Sequence, residues 1–108
     1  MTFQILADKV TLVTGAAMGM GEATAKLFAE SGAKVAVVDF NDVVGQKVTD
    51  EIVAAGGQAI FIHCDISKAA DVEAMVAKTV ATWGRLDAAV NNAALTPDDK
   101  PVSDFDEA

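Results

Sequence analysis

The sequence predicts an α/β fold of the doubly wound kind, a parallel sheet of order 3-2-1-4 with helices packed on its faces. Four short apolar runs rich in β-branched residues alternate with three segments of helical period, in the order β-α-β-α-β-α-β. A glycine follows each helical segment, and a glycine-rich turn joins the first run to the first helix.

The first strand, Val10-Thr11-Leu12-Val13-Thr14, is apolar on both faces, as a central strand of a parallel sheet must be. It enters Thr14-Gly15-Ala16-Ala17-Met18-Gly19-Met20-Gly21 and then a helix over 21–30 that presents Ala25, Phe28 and Ala29. A strand, a glycine turn and a helix in this order make a diphosphate-binding turn. Backbone N–H groups at the helix start point at the anion, and the helix dipole favours its charge. Gly15 permits the tight turn, Gly19 the close approach of the ligand, and Gly21 the packing of helix on strand. No Lys-Ser or Lys-Thr follows the glycines, which excludes a Walker A site and with it ATP hydrolysis.

Gly32 closes the first helix, and Val35-Ala36-Val37-Val38 forms the second strand. It ends in Asp39, 18 positions after Gly21, close to the spacing at which a carboxylate accepts both hydroxyls of an adenosine ribose. Asp42 suits the N-cap of a helix over 43–55, with Val44, Val48, Ile52 and Ala55 on one face and Gly56-Gly57 behind it. The third strand, Ala59-Ile60-Phe61-Ile62, leads to His63-Cys64-Asp65-Ile66. Neighbouring strand residues face opposite ways and no other His or Cys exists, so His63 and Cys64 form neither a nucleophile–base pair nor a metal shell and are read as structural. Asp65, by contrast, lies at the C-terminal end of its strand, where open α/β sheets bind ligands.

Ser67 suits the N-cap of a third helix over 70–83, whose apolar positions are Val72, Met75, Val76, Val80 and Trp83; Gly84 closes it. A fourth strand over 86–90 ends in Asn91-Asn92-Ala93-Ala94 at the same edge, where paired amides tie strand ends together and face a ligand. Beyond it the periodicity stops, and 95–108 is expected to be an acidic loop leading to a further helix. An unpaired fourth strand suggests that the chain is the front part of a longer protein, and that by itself it associates or dissolves poorly.

Composition narrows the function. The 108 residues carry 16 acidic and 8 basic side chains, a net charge of −8. Half of it sits in 97–108, where five acids meet one base. Such a surface repels nucleic acid and anionic membrane. No apolar run approaches the ~18 residues a bilayer span needs, and the N-terminus lacks a secretory pattern. A single cysteine allows no internal disulfide, and a reducing cytoplasm is the expected compartment. A chain of this length has one core, so 1–108 is read as a single dinucleotide-binding domain.

Taken together, Thr14-Gly-x-x-x-Gly-x-Gly21, Asp39, Asp65 and Asn91-Asn92-Ala93, with Ala7-Asp8-Lys9-Val10 leading in, resemble the cofactor half of the short-chain dehydrogenase/reductases over residues 8–108. The resemblance implies a Rossmann-like sheet and an oxidoreductase moving a hydride between NAD and a hydroxyl or carbonyl carbon of a small alcohol or carbonyl substrate. It further implies a homo-oligomer at full length. Residue by residue, Gly15, Met18, Gly19, Met20 and Gly21 correspond to the diphosphate and nicotinamide-side loop, Asp39 to the ribose-binding acid and Phe40 to the adenine flank. Asp65 and Ile66 correspond to the adenine-contacting pair, Asn92 and Ala93 to the residues beside the riboses, and Asn91 to a brace of the sheet. The family's Asn-Asn-Ala-Gly ends here in Ala94, which requires a backbone without positive φ. The catalytic Ser, Tyr and Lys of that family lie downstream, so the chain alone is expected to turn over no substrate. Two other readings stay open: a dinucleotide-binding or redox-sensing module without catalysis, and a structural fragment with no ligand.

Overall fold

The computed structural model describes residues 6–17 and 19–92. Met18, Ala93 and the expected acidic loop over 95–108 lie outside them. The elements are β1 (Val10–Thr14), α1 (Gly19–Glu30), β2 (Lys34–Asp39), α2 (Asp42–Ala54), β3 (Gln58–His63), α3 (Ala69–Trp83) and β4 (Ala88–Asn91). The strands form one parallel sheet in the order β3-β2-β1-β4, as the sequence predicts.

The sheet divides two cores. Val13, Val35 and Val37 pack with Ala25 of α1 and Val48 and Ile52 of α2 on one face. Leu12, Ala36, Val38, Ile62 and Cys64 pack with Met75 of α3 on the other. Every residue of β1 is buried, which is why its run is apolar without alternation. Gly32, Gly56 and Gly84 adopt positive φ behind their helices, the turn only a residue without Cβ makes cheaply.

Five expectations are corrected. Asn41, in extended conformation, caps α2 by accepting from the Val44 N–H at 3.1 Å. Asp42 is the first helical residue, its carboxylate engaged with His63 instead. Lys68 holds the N-cap position of α3 without a side-chain bond, because the Ser67 hydroxyl donates to Asp65 at 2.6 Å. On α3, Val76 and Val80 are 38% and 40% exposed, whereas Thr79 is fully buried and donates to the Met75 carbonyl at 2.8 Å. A polar side chain at helical spacing joins the core because its hydroxyl is satisfied within the helix. Ala55, expected on the inner face of α2, is its exposed C-cap residue.

Finally, β4 begins at Ala88 rather than Leu86. Leu86 turns into the α3 core, and Asp87 ties β1 to β4 by accepting from Val10 N at 2.8 Å and donating its own N–H to the Val10 carbonyl at 2.8 Å.

Candidate dinucleotide site

All four strands run the same way, so their C-terminal ends share one edge. Along it stand the glycine turn after β1, Asp39 at the end of β2, Asp65 just past β3 and Asn92 just past β4. The N-termini of the three helices face this edge too, where their first N–H groups have no partner within the helix.

The glycine turn is shaped by backbone geometry. Gly15 and Gly19 have φ of 64° and 63°, a region that L side chains rarely adopt. A Cβ at Gly21 would stand 1.9 Å from the Gly15 carbonyl oxygen, so α1 reaches β1 only with glycine there. At Gly19 a Cβ would meet nothing within 4 Å: the space over the turn is open. Met20 is exposed beside it.

Asp39 is held by two backbone donors. Ala17 N–H donates to one carboxylate oxygen at 2.9 Å and Asn41 N–H to the other at 2.9 Å. The first bond ties the acid to the glycine turn itself, and each oxygen keeps a lone pair for a further donor. No described cation pairs with Asp39. Phe40, the next residue, is 66% exposed.

Asp65 accepts from both the N–H and the hydroxyl of Ser67, at 3.0 and 2.6 Å, and these bonds hold its carboxyl below the usual range. Its own N–H donates to Asp71 at 3.0 Å, which anchors the end of β3 to the first turn of α3. Ile66 packs half-buried against the α3 core. Cys64 is buried beneath; desolvation first, then Asp71 and Asp65, raise its pKa.

At the fourth strand the Thr14 hydroxyl meets Asn91 Oδ1 at 2.7 Å, and Asn92 N–H lies 3.2 Å from both the carbonyl and the hydroxyl oxygen of Thr14. The Asn92 Nδ2 group is buried without a partner among the described residues. An orphaned donor at the ligand edge, an open space over the glycine turn and an unpaired carboxylate fit a dinucleotide: diphosphate on N–H groups, ribose hydroxyls on the acid, a polar group on Asn92.

Sequence reasoning missed the supports of this edge. Asp71 and Asp87 each accept a backbone N–H, the second across 77 positions of sequence, and the His63–Asp42 contact spans 21. Of these only Asp87, a charged residue just before β4, interrupts an otherwise apolar run in the sequence. Elsewhere, a groove of ≈ 620 Å³ between the C-terminal ends of α1 and α2 opens at the opposite edge of the sheet. Its one lysine, Lys26, is already bound by Glu22 and Glu51 at 2.6 and 2.8 Å, and only the N-terminal end of a strand, Gln58 of β3, reaches it. No group of three metal-ligating side chains, and no helix long and apolar enough to cross a membrane, occurs among the described residues.

Residues 9–108 match the family model described as short chain dehydrogenase. The chain belongs to the short-chain dehydrogenase family. Among characterised members of that family, it is 44% identical over 99 residues to a 2,5-dichloro-2,5-cyclohexadiene-1,4-diol dehydrogenase of Sphingobium indicum, covering 92% of this chain and 38% of that protein. It is 48% identical over 90 residues to the tropinone reductase-like 1 protein of Erythroxylum coca, covering 83% and 32%. Among solved short-chain dehydrogenases, a hydroxysteroid dehydrogenase from Escherichia coli superposes with a TM-score of 0.83 at 36% identity, over 96% of this chain and 46% of that one. The chain thus spans less than half the length of the relatives it matches.

Proposed function

We propose that this chain is the cofactor-binding part of an oxidoreductase that moves a hydride between NAD and a hydroxyl or carbonyl carbon of a small substrate. Bound here, the nicotinamide would supply or accept the hydride. The chain's own residues do the binding: Gly15, Met18, Gly19, Met20 and Gly21 hold the diphosphate; Phe40, Asp65 and Ile66 flank the adenine; Asn92 and Ala93 stand beside the riboses. The substrate class agrees with relatives named as a diol dehydrogenase and a tropinone reductase-like protein.

The observation that carries the choice of NAD is the Asp39 carboxylate, fixed by Ala17 and Asn41 and without a cation among the described residues. Both ribose hydroxyls can donate to it, which requires an unphosphorylated sugar. A 2′-phosphate would bring about two negative charges within ~5 Å, and each unit pair costs roughly 3 kcal/mol at an effective dielectric near 20. Screening to a third still leaves about 2 kcal/mol, more than tenfold in affinity. Met18, Phe40 and Asn41 offer no compensating charge.

The test is titration of NAD and NADP into the full-length protein and its Asp39→Ala variant. Expected is a preference for NAD of more than about tenfold that collapses in the variant. Equal affinities, or a preference that survives the substitution, would make Asp39 a mere strand-end residue.

A further inference from the structure

We propose that His63, tethered by Asp42, is a positioning residue for the adenosine end of the cofactor: it braces Phe40 as the outer wall of the adenine slot. The inference rests on the dinucleotide reading above and adds to it a residue that the glycine turn, Asp39 and Asp65 do not include.

The parallel register sets Asp39 opposite His63 on β2 and β3, so the two side chains emerge on the same face at the ligand edge. Asp42, the first residue of α2, reaches the His63 ring, with Oδ1 2.5 Å from Nδ1. An ionised carboxylate only accepts, so the contact places a proton on Nδ1 and fixes the ring's orientation. The ring so fixed lies 5.5 Å from that of Phe40, tilted by 42°, within the range of a favourable aromatic pair.

Phe40 is the reason this arrangement matters. A phenyl ring 66% exposed at a strand end gains little from burial, so its direction is not set by the core. It follows directly on Asp39, whose Oδ1 accepts the N–H of Asn41, so the backbone on both sides of Phe40 is already held. His63 supplies the remaining constraint, the ring's direction. A planar base entering between Phe40 and the Asp65–Ile66 corner then meets an aromatic surface that does not have to be ordered on binding. A helix-capping role for the pair does not account for Phe40, and the cap of α2 is supplied by Asn41.

The experiment is calorimetric titration of AMP and NADH into the full-length protein, in the wild type and in His63→Ala, His63→Phe, Asp42→Ala, Phe40→Ala and the double variant His63→Ala/Phe40→Ala, with thermal unfolding of each. His63→Ala is expected to weaken AMP and NADH by about three- to tenfold, the size of one aromatic contact. His63→Phe, which keeps a ring beside Phe40, recovers most of that loss, and Asp42→Ala shows a part of it. On the Phe40→Ala background, His63→Ala changes nothing further, because the residue acts through Phe40. Unchanged AMP affinity in His63→Ala overturns the inference, whether or not the unfolding midpoint falls. So do a His63→Phe variant no better than His63→Ala, and losses that add in the double variant. A wild-type protein that binds neither AMP nor NADH instead overturns the dinucleotide reading, and the inference with it.

Discussion

The strands β1 and β4 lie side by side, paired in register from Thr11 with Ala88 to Thr14 with Asn91, yet all five residues of β1 are buried while Ala88, Ala89 and Asn91 are exposed and Val90 is half-buried. Both make ladder hydrogen bonds. Among the described residues only β1 has the helices α1 and α3 over its faces and a second strand at its other side. Pairing therefore satisfies the backbone, and burial by helices supplies the free energy. The candidate site straddles this divide. The glycine turn, Asp39 and Asp65 stand at the end of the closed β1-β2-β3 part, and Asn92 stands just past the open strand.

The largest effect is expected at Gly21, where the closed half meets the site. Gly21→Val drives a side chain into the Gly15 carbonyl, with a destabilisation of about 3 kcal/mol or more in denaturant unfolding and loss of measurable NAD binding. Retention of both would mean that α1 can shift away from β1 without harm. Next comes the paired test of the two strands. Leu12→Ala should cost about 3 kcal/mol, since a fully buried leucine leaves a cavity. Ala89→Ser, on its direct partner, should stay within about 0.5 kcal/mol in the 108-residue chain. A larger cost for Ala89→Ser at full length than in the short chain would show that the rest of the protein covers β4.

The exposed edge of β4 predicts self-association of the 108-residue chain in sedimentation velocity, relieved at full length; a monomer at high concentration would contradict it. Hydrogen exchange should report the same asymmetry, with β1 and β2 amides protected and β4 amides fast in the short chain.

The smallest effect concerns acid. The Ser67 bonds hold the Asp65 pKa below its unfolded value, so this carboxylate's contribution is present above the ordinary range near 4 and is lost as pH falls through the lowered value. Ser67→Ala should move the Asp65 titration, followed by carboxyl NMR, back up toward the ordinary range. An unmoved titration would assign the shift to the rest of the β3 end.

Much of this was legible in the linear chain because it is local. Strand and helix order follow from periodicity, and positive φ at Gly15, Gly19, Gly32, Gly56 and Gly84 follows from where turns and helix ends must fall. That Asp39, Asp65 and Asn92 share an edge follows from parallel strands alone: each sits at the same end of its own. The Asn41 cap was misread as Asp42 by a single residue, because both side chains cap helices and only backbone dihedrals tell which stands outside the first turn.

What the tertiary structure decided are the contacts between segments distant in sequence. Thr79 rather than Val76 or Val80 enters the core because the roll of α3 on the sheet is set by Met75, Leu12 and Val38 together, not by its own pattern. The tie of Asp87 to Val10, the bond of Asp39 to Ala17 and the line from Asp42 through His63 to Phe40 join groups up to 77 positions apart. A single sequence carries no record of which polar groups meet at such separations, since each is an ordinary surface residue in its own segment. The types of residue at the strand ends, and so the kind of ligand, belong to the sequence; the orientation that makes a carboxylate or a ring into part of a site belongs to the packing of strands and helices around it.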